Sequence, residues 1–169
     1  MPTIAIISQK GGAGKTTIAV HLAAAAELAG HAALVIDTDQ QATASQWGAW
    51  RKDRPPEVID SPPPRLRAKV DQARAQGAEF IVIDTPPHAD SAATAAMEIA
   101  DLILIPCRPS AFDLAAIQTT ARLVLMFRKP AFVVFTAGSP NAPRLYVDAA
   151  EAAEGFGLAT SPHHISDRA

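Results

Sequence analysis

The segment Gln9-Lys10-Gly11-Gly12-Ala13-Gly14-Lys15-Thr16-Thr17 constrains this chain more than any other. It sits between an apolar run, Ile4–Ser8, which reads as a buried strand, and Thr16–Leu28, which reads as a helix closed by Gly30. Strand, glycines, Lys-Thr and helix in that order are what a phosphate-binding loop requires. Small residues let backbone N–H groups turn inward around phosphate oxygens. The helix N-terminus adds partial positive charge at the same point. In such a loop Lys15 reaches β- and γ-phosphates and the Thr16 hydroxyl is a candidate Mg2+ ligand. The candidate nucleotide-binding residues are therefore Lys10, Gly11, Gly12, Ala13, Gly14, Lys15, Thr16 and Thr17. The usual pattern places glycine at position 9, where this chain has Gln9, and a second lysine, Lys10, follows it.

Short apolar runs alternate with helical patterns along the rest of the chain. Strands are expected at Ala33–Asp37, Phe80–Asp84, Leu102–Pro106 and Ala131–Phe135, with a short one at Val58–Ile59. Helices are expected at Ala42–Lys52, Leu66–Gln76, Ala92–Ala100, Leu114–Phe127 and Arg144–Glu154. In the first helix, Ile18, Leu22 and Ala25 are expected on the buried face. Strands that are apolar throughout are buried on both faces, as in a parallel sheet covered by helices. The expected fold is a single α/β domain, a mostly parallel twisted sheet with right-handed crossovers and helices on both faces. The proline-rich connector Arg51–Pro64 is the most loop-like stretch.

Composition narrows the function. The chain has 169 residues, the size of one domain, with 49% hydrophobic and 19% charged residues, which excludes a disordered chain. A formal net charge of −2 provides no global basic field, so nucleic-acid binding would need a local patch. Seven of the fifteen Lys and Arg residues fall between Arg51 and Arg74: Arg51, Lys52, Arg54, Arg65, Arg67, Lys69 and Arg74. Asp53, Glu57, Asp60 and Asp71 lie among them, so the segment is either a solvated face or a weak DNA-facing patch. One cysteine, Cys107, excludes a disulfide framework, and a reducing cytoplasmic setting is expected. The segment Met1–Ile7 lacks the basic n-region of a signal peptide and no run of 18 apolar residues occurs, so no membrane span is expected.

Asp84 ends an apolar strand, which brings its carboxylate to the C-terminal edge of the sheet, where ligands bind in open α/β folds. It is a candidate Mg2+ ligand, directly or through water. Asp37 and Asp39 lie at and just beyond another strand end, and either also reads as a cap for the helix that follows.

Lys10-Gly11-Gly12-Ala13-Gly14-Lys15-Thr16 resembles the deviant Walker A motif of the ParA/MinD family of ATPases. Leu34-Val35-Ile36-Asp37-Thr38-Asp39-Gln40-Gln41 is similar to that family's switch I segment. Phe80-Ile81-Val82-Ile83-Asp84-Thr85-Pro86-Pro87 is similar to its Walker B strand leading into switch II. Arg108-Pro109-Ser110-Ala111-Phe112-Asp113 resembles the stretch after the next strand, and also reads as a helix-capping box. The resemblance implies that Asp39 is the hydrolytic aspartate and a member of the metal site with Thr16 and Asp84, and that Asp37 supports the metal shell from the strand end. It implies that Lys10 reaches across a dimer interface to the partner subunit's phosphates, the part an arginine finger plays elsewhere. The chain has Gln40 where the family has proline, and Thr136-Ala137-Gly138 lacks the family's base-contacting Arg or Asn.

By the same resemblance, the expected protein is a slow, partner-stimulated ATPase that binds ATP, ADP and Mg2+. ATP drives a sandwich homodimer that binds DNA non-specifically and, with a centromere-binding partner protein, segregates plasmid or chromosomal DNA in the nucleoid-associated cytoplasm. A positioning ATPase for a protein cargo is the alternative. A dethiobiotin-synthetase-like enzyme is a third reading, against which Lys10 counts. The motif begins at residue 10, so the small type without a helix-turn-helix domain is expected. Pro162–Ala169 holds no basic amphipathic helix of the membrane-binding type. Ile165-Ser166-Asp167-Arg168 resembles the point where ParA chains continue, so residues 1–169 are expected to be one ParA-type domain without its C-terminal helical segment.

Cys107 is expected to be a buried, inert thiol, and His88, His163 and His164 lack partners at metal-binding spacing. Trp47 and Trp50, one helical turn apart, read as core or as a partner surface.

Overall fold

The computed structural model describes residues 2–52 and 54–166. Asp53, one of the acids in the basic segment, and Asp167 and Arg168, part of the chain-end motif, lie outside the described residues.

The longer strands form on short apolar runs rich in Ile and Val. They are β1 (Thr3–Ile6), β2 (Ala33–Asp37), β3 (Glu57–Asp60), β4 (Phe80–Asp84), β5 (Leu102–Cys107), β6 (Ala131–Gly138), β7 (Ala159–Thr160) and β8 (Ile165–Ser166). Between them lie α1 (Lys15–Leu28), α2 (Thr43–Arg51), α3 (Leu66–Ala75), α4 (Asp90–Ile99), α5 (Ala111–Phe127) and α6 (Pro143–Gly155). The spatial order is β3-β2-β4-β1-β5-β6-β7, with β8 also on β6, and all these pairings are parallel. β2 and β4, each five residues, match the expected ranges. The proline-rich connector is less of a loop than its sequence implies: it holds β3 and a 3-10 turn at Pro63–Arg65. β7 and β8 have two residues each, too short to leave a period-2 pattern.

The topology explains the two helical layers. The chain moves one way across the sheet through β1, β2 and β3, then the other way through β4, β5 and β6. Right-handed crossovers therefore place α1 and α2 on one face and α3 to α6 on the other. The core divides accordingly. Ile4, Ile6, Val35 and Val82 pack with Ile18, Ala19, Ala23 and Ala44. Ala5, Ile7, Ile36, Ile83 and Ile105 pack with Val70, Met97, Ile117, Ala121 and Ala153.

The buried stripe of α1 runs through Ile18, Ala19, Val20, Ala23 and Ala26. Leu22 is half-buried and Ala25 exposed, which corrects the expected face. Four successive alanines, Ala23–Ala26, give that helix almost no apolar contrast, so its orientation is set by packing and not by pattern. Trp47 packs beneath α2 and carries Arg51 over its ring at 4.7 Å, whereas Trp50 is 76% exposed. Ser110 caps α5, its Oγ accepting from the Asp113 amide, as the capping box predicts.

Gly48 is where α2 touches the sheet most closely: a Cβ there would lie 2.9 Å from both Cβ and Cγ2 of Val58. Alanine is favoured over glycine inside a helix by about 1 kcal/mol, but overpacking a filled contact costs about 1–3 kcal/mol. Gly48→Ala is therefore expected to destabilise by about 1 kcal/mol in urea unfolding. In a Val58→Gly background, which removes both contacting carbons, the same change is expected to stabilise.

Candidate functional site

The site lies where β1 ends, between its neighbours β4 and β5. The loop from Ile7 to Gly14 leaves that edge and enters α1. Gly12 and Gly14 have φ of 71° and 92°, the left-handed region that glycine adopts without strain. These turns reverse the loop and deliver Lys15 to the first position of α1, where it is 7% exposed. Its Nζ donates to the Lys10 carbonyl at 3.1 Å, so the lysine closes the loop on itself. Burial lowers the Lys15 pKa from its ordinary value, while Asp84 and Asp39 act to raise it.

Parallel register sets the carboxylates. Ile6 pairs with Asp84, Asp84 with Asp37, and Asp37 with Asp60, so three aspartates lie in one row at the C-terminal edge. Their environments differ. Asp37 is buried and saturated: Oδ1 accepts from the Asp39 amide at 3.0 Å, and Oδ2 accepts from the Ser45 amide at 3.0 Å and the Ser45 hydroxyl at 3.3 Å. It thus acts as the cap of the β2–α2 connection, one of the two roles open to it from sequence. Asp39 is half-buried, and its Oδ1 accepts from the Gln41 amide at 2.9 Å, which holds the turn where Gln40 replaces proline.

Asp84 is 1% exposed, and its Oδ1 has no hydrogen-bond partner. Burial pushes its carboxyl up to about 7; the Thr16 side-chain hydrogen bond opposes this, Asp37 and Asp39 add to it, and Lys15 opposes it. A bare, buried carboxylate oxygen beside the Thr16 hydroxyl fits a divalent cation or its water. Among the described residues, no group of three or more His, Cys, Asp or Glu gathers as a metal cage. Such a cation would draw its remaining ligands from phosphate and water, as Mg2+ commonly does.

Lys15, Thr16, Asp84 and Asp39 lie near one another at this edge of the sheet. Lys10 is half-buried and lines a small crevice with Cys107, Asp113, Ile117 and Thr120, toward α5. Among the described residues it forms no ion pair. Thr17 is exposed at the start of α1. Cys107 is 2% exposed and its thiol is pushed up to about 12 by burial, so it is inert as expected. A cavity of about 660 Å³ adjoins the site, lined in part by Asp39, Asp60, Ser61, Pro86 and Ser91.

Sequence reasoning missed three contacts. Arg108 Nη2 donates to the Gly12 carbonyl at 2.9 Å, and Thr136 Oγ1 donates to the Ala13 carbonyl at 2.9 Å. Gln9 Nε2, at the position where glycine is usual, donates to Asp90 Oδ1 at 2.8 Å. These pairs are 96, 123 and 81 residues apart, so no local pattern announces them.

Comparison with known proteins agrees with this geometry. Residues 4–165 match the CobQ/CobB/MinD/ParA nucleotide binding domain. A protein of Gloeobacter kilaueensis called Maintenance of carboxysome distribution protein A is 40% identical over 129 residues, 72% of this chain and 56% of that protein. Protein ParA of Rhizobium radiobacter is 31% identical over 150 residues, 83% of this chain and 66% of that protein. The chain thus spans just over half to two-thirds of the length of these two relatives. The structure of pNOB8 ParA bound to nonspecific DNA superposes with a TM-score of 0.76 at 17% identity, covering 99% of this chain and 85% of that one.

The raised Asp84 pKa has a consequence for stability. The folded chain holds a proton up to about pH 7 that the unfolded chain releases near the ordinary value of 3.8. The stability this group contributes is full below pH 3.8 and lost as pH rises through 7, a change on the order of a few kcal/mol. Asp84→Asn is therefore expected to raise the melting temperature of the nucleotide-free protein more at pH 8 than at pH 5. Equal shifts at the two pH values would show that the charge carries no burial penalty.

Proposed function

The chain belongs to the CobQ/CobB/MinD/ParA nucleotide-binding domain family, and from that premise we propose that it is a Mg2+-dependent ATPase of the ParA type. The observation that carries this reading is the pairing of a buried Lys15 under a glycine-rich loop with the unpartnered Oδ1 of Asp84. The loop amides of Gly11 to Thr16 and the Lys15 ammonium hold the phosphates of ATP or ADP. Thr16 and Asp84, with Asp39 beside them, hold Mg2+, which neutralises charge developing on the phosphates. Asp39 orients the attacking water. Its turn, pinned by Asp37 and Gln41, fixes where that carboxylate stands.

Lys10 acts in trans. It has no anionic partner among the described residues, and an idle, partly buried ammonium is costly. The phosphates of a second copy docked face to face supply one. ATP binding in this reading makes the dimer, the dimer binds DNA non-specifically, and a centromere-binding partner protein stimulates turnover, so that plasmid or chromosomal DNA is segregated on the nucleoid. The likeness to a ParA solved on nonspecific DNA supports the DNA step. A second reading keeps the same cycle and replaces the DNA cargo by a protein one; the 40% identity to a carboxysome distribution protein favours it. Turnover measured with and without duplex DNA tests the step that both share.

Two substitutions separate the roles. Asp39→Ala is expected to keep Mg-ATP affinity within a few-fold in calorimetry and to lower turnover about 100-fold or more. Wild-type turnover would make Asp39 a turn residue only. Lys10→Ala is expected to leave monomer binding intact, weaken ATP-dependent dimerisation in light scattering, and lower turnover by up to about 1,000-fold. An unchanged dimer constant together with unchanged turnover would make Lys10 a surface lysine.

A further inference from the structure

A phosphate loop turns its amides inward only if its carbonyls turn outward, and each outward carbonyl needs a donor of its own. In this loop three carbonyls have side-chain donors, each from a different element. Lys15 of α1 holds the Lys10 carbonyl at 3.1 Å, Arg108 after β5 holds Gly12, and Thr136 of β6 holds Ala13, both at 2.9 Å. The three are not equivalent once a nucleotide arrives. Lys15 is drawn to the phosphates, so its hold on the loop is given up on binding. Arg108 and Thr136 lie outside the loop and its helix, and their bonds are compatible with an occupied site.

We propose that Arg108 and Thr136 are positioning residues that clamp the phosphate loop from β5 and β6 in its anion-receiving shape. The inference rests on the nucleotide reading of the site. Thr136 is 6% exposed, and a Cβ at Gly14 would lie 3.6 Å from its Cγ2, so its hydroxyl is held in place by packing. Arg108 is exposed, but its Nη2 lies within 3.5 Å of where a Gly12 Cβ would sit, against the outer side of the loop. Gly12 is itself exposed with φ of 71°, so little core packing fixes that turn without the guanidinium. The clamp keeps the loop ordered while the site is empty, which lowers the ordering cost at the moment of binding.

The test uses the full chain and Mg-ADP as probe. Calorimetry is run on the wild type, Arg108→Ala, Arg108→Lys, Thr136→Val and Thr136→Ser, with melting curves in the absence of nucleotide and steady-state ATP turnover. A clamp predicts that Arg108→Ala and Thr136→Val each weaken Mg-ADP binding about 10-fold, the scale of one such hydrogen bond. KM for ATP should rise in proportion, with kcat within about twofold. Arg108→Lys and Thr136→Ser each keep a donor and should restore most of the affinity. A folding defect alone would lower the melting temperature without that split between KM and kcat. Wild-type affinity in both Arg108→Ala and Thr136→Val would overturn the clamp. So would a loss at Arg108 that lysine does not restore, because a guanidinium needed for its own geometry would be touching the ligand. If the wild type itself binds no Mg-ADP, the nucleotide reading fails and the clamp with it.

Discussion

The buried ammonium of Lys15 is the interaction on which the rest of this site depends. A lysine at 7% exposure is tolerable only with acceptors and counter-charge close by. The Lys10 carbonyl supplies the first, and Asp84 and Asp39 supply the second. The first requires the tight reversal made by Gly12 and Gly14. The second requires β4 to lie directly beside β1 and to end in register with it, with Ile6 opposite Asp84. Loop, sheet order and carboxylate row are thus parts of one electrostatic arrangement.

That arrangement is left incomplete by the chain alone. The Asp84 carboxyl carries a burial penalty large enough to bring it to about 7, and one of its oxygens has no donor. Asp37, the neighbour across the β2–β4 pairing, is fully hydrogen-bonded. Two aspartates with the same strand-end position therefore do different work. One organises the turn that carries Asp39, and the other is left open toward the site. The difference arises because β2 feeds a connection whose amides at Asp39 and Ser45 fold back on its own strand end. β4 instead leads into Thr85 and Pro86, and the Thr85 hydroxyl goes to the Ile6 carbonyl.

The two tryptophans show the same division between pattern and packing. Their spacing places them one turn apart, yet Trp47 is packed beneath Arg51 and Trp50 stands 76% exposed. The close approach of α2 to β3 at Gly48 decides which indole is covered.

The sequence by itself determined the elements and the chemistry that is local in the chain. The unbroken apolar runs of β2 and β4 marked buried parallel strands, because a strand covered on both faces has no polar side to show. The order strand, glycines, Lys-Thr, helix marked the phosphate loop, because each part acts within nine residues of the next. The Ser110–Asp113 cap was legible for the same reason. Tertiary structure alone decided what spans the chain. It turned the alanine-rich α1 onto Ala23 and Ala26, sides that no periodicity distinguishes. It resolved Asp37 into a cap and left Asp84 bare. It brought Arg108 and Thr136 to the loop carbonyls across 96 and 123 residues, since a backbone carbonyl accepts from any donor that the sheet order carries to it and leaves no mark in the sequence of either partner.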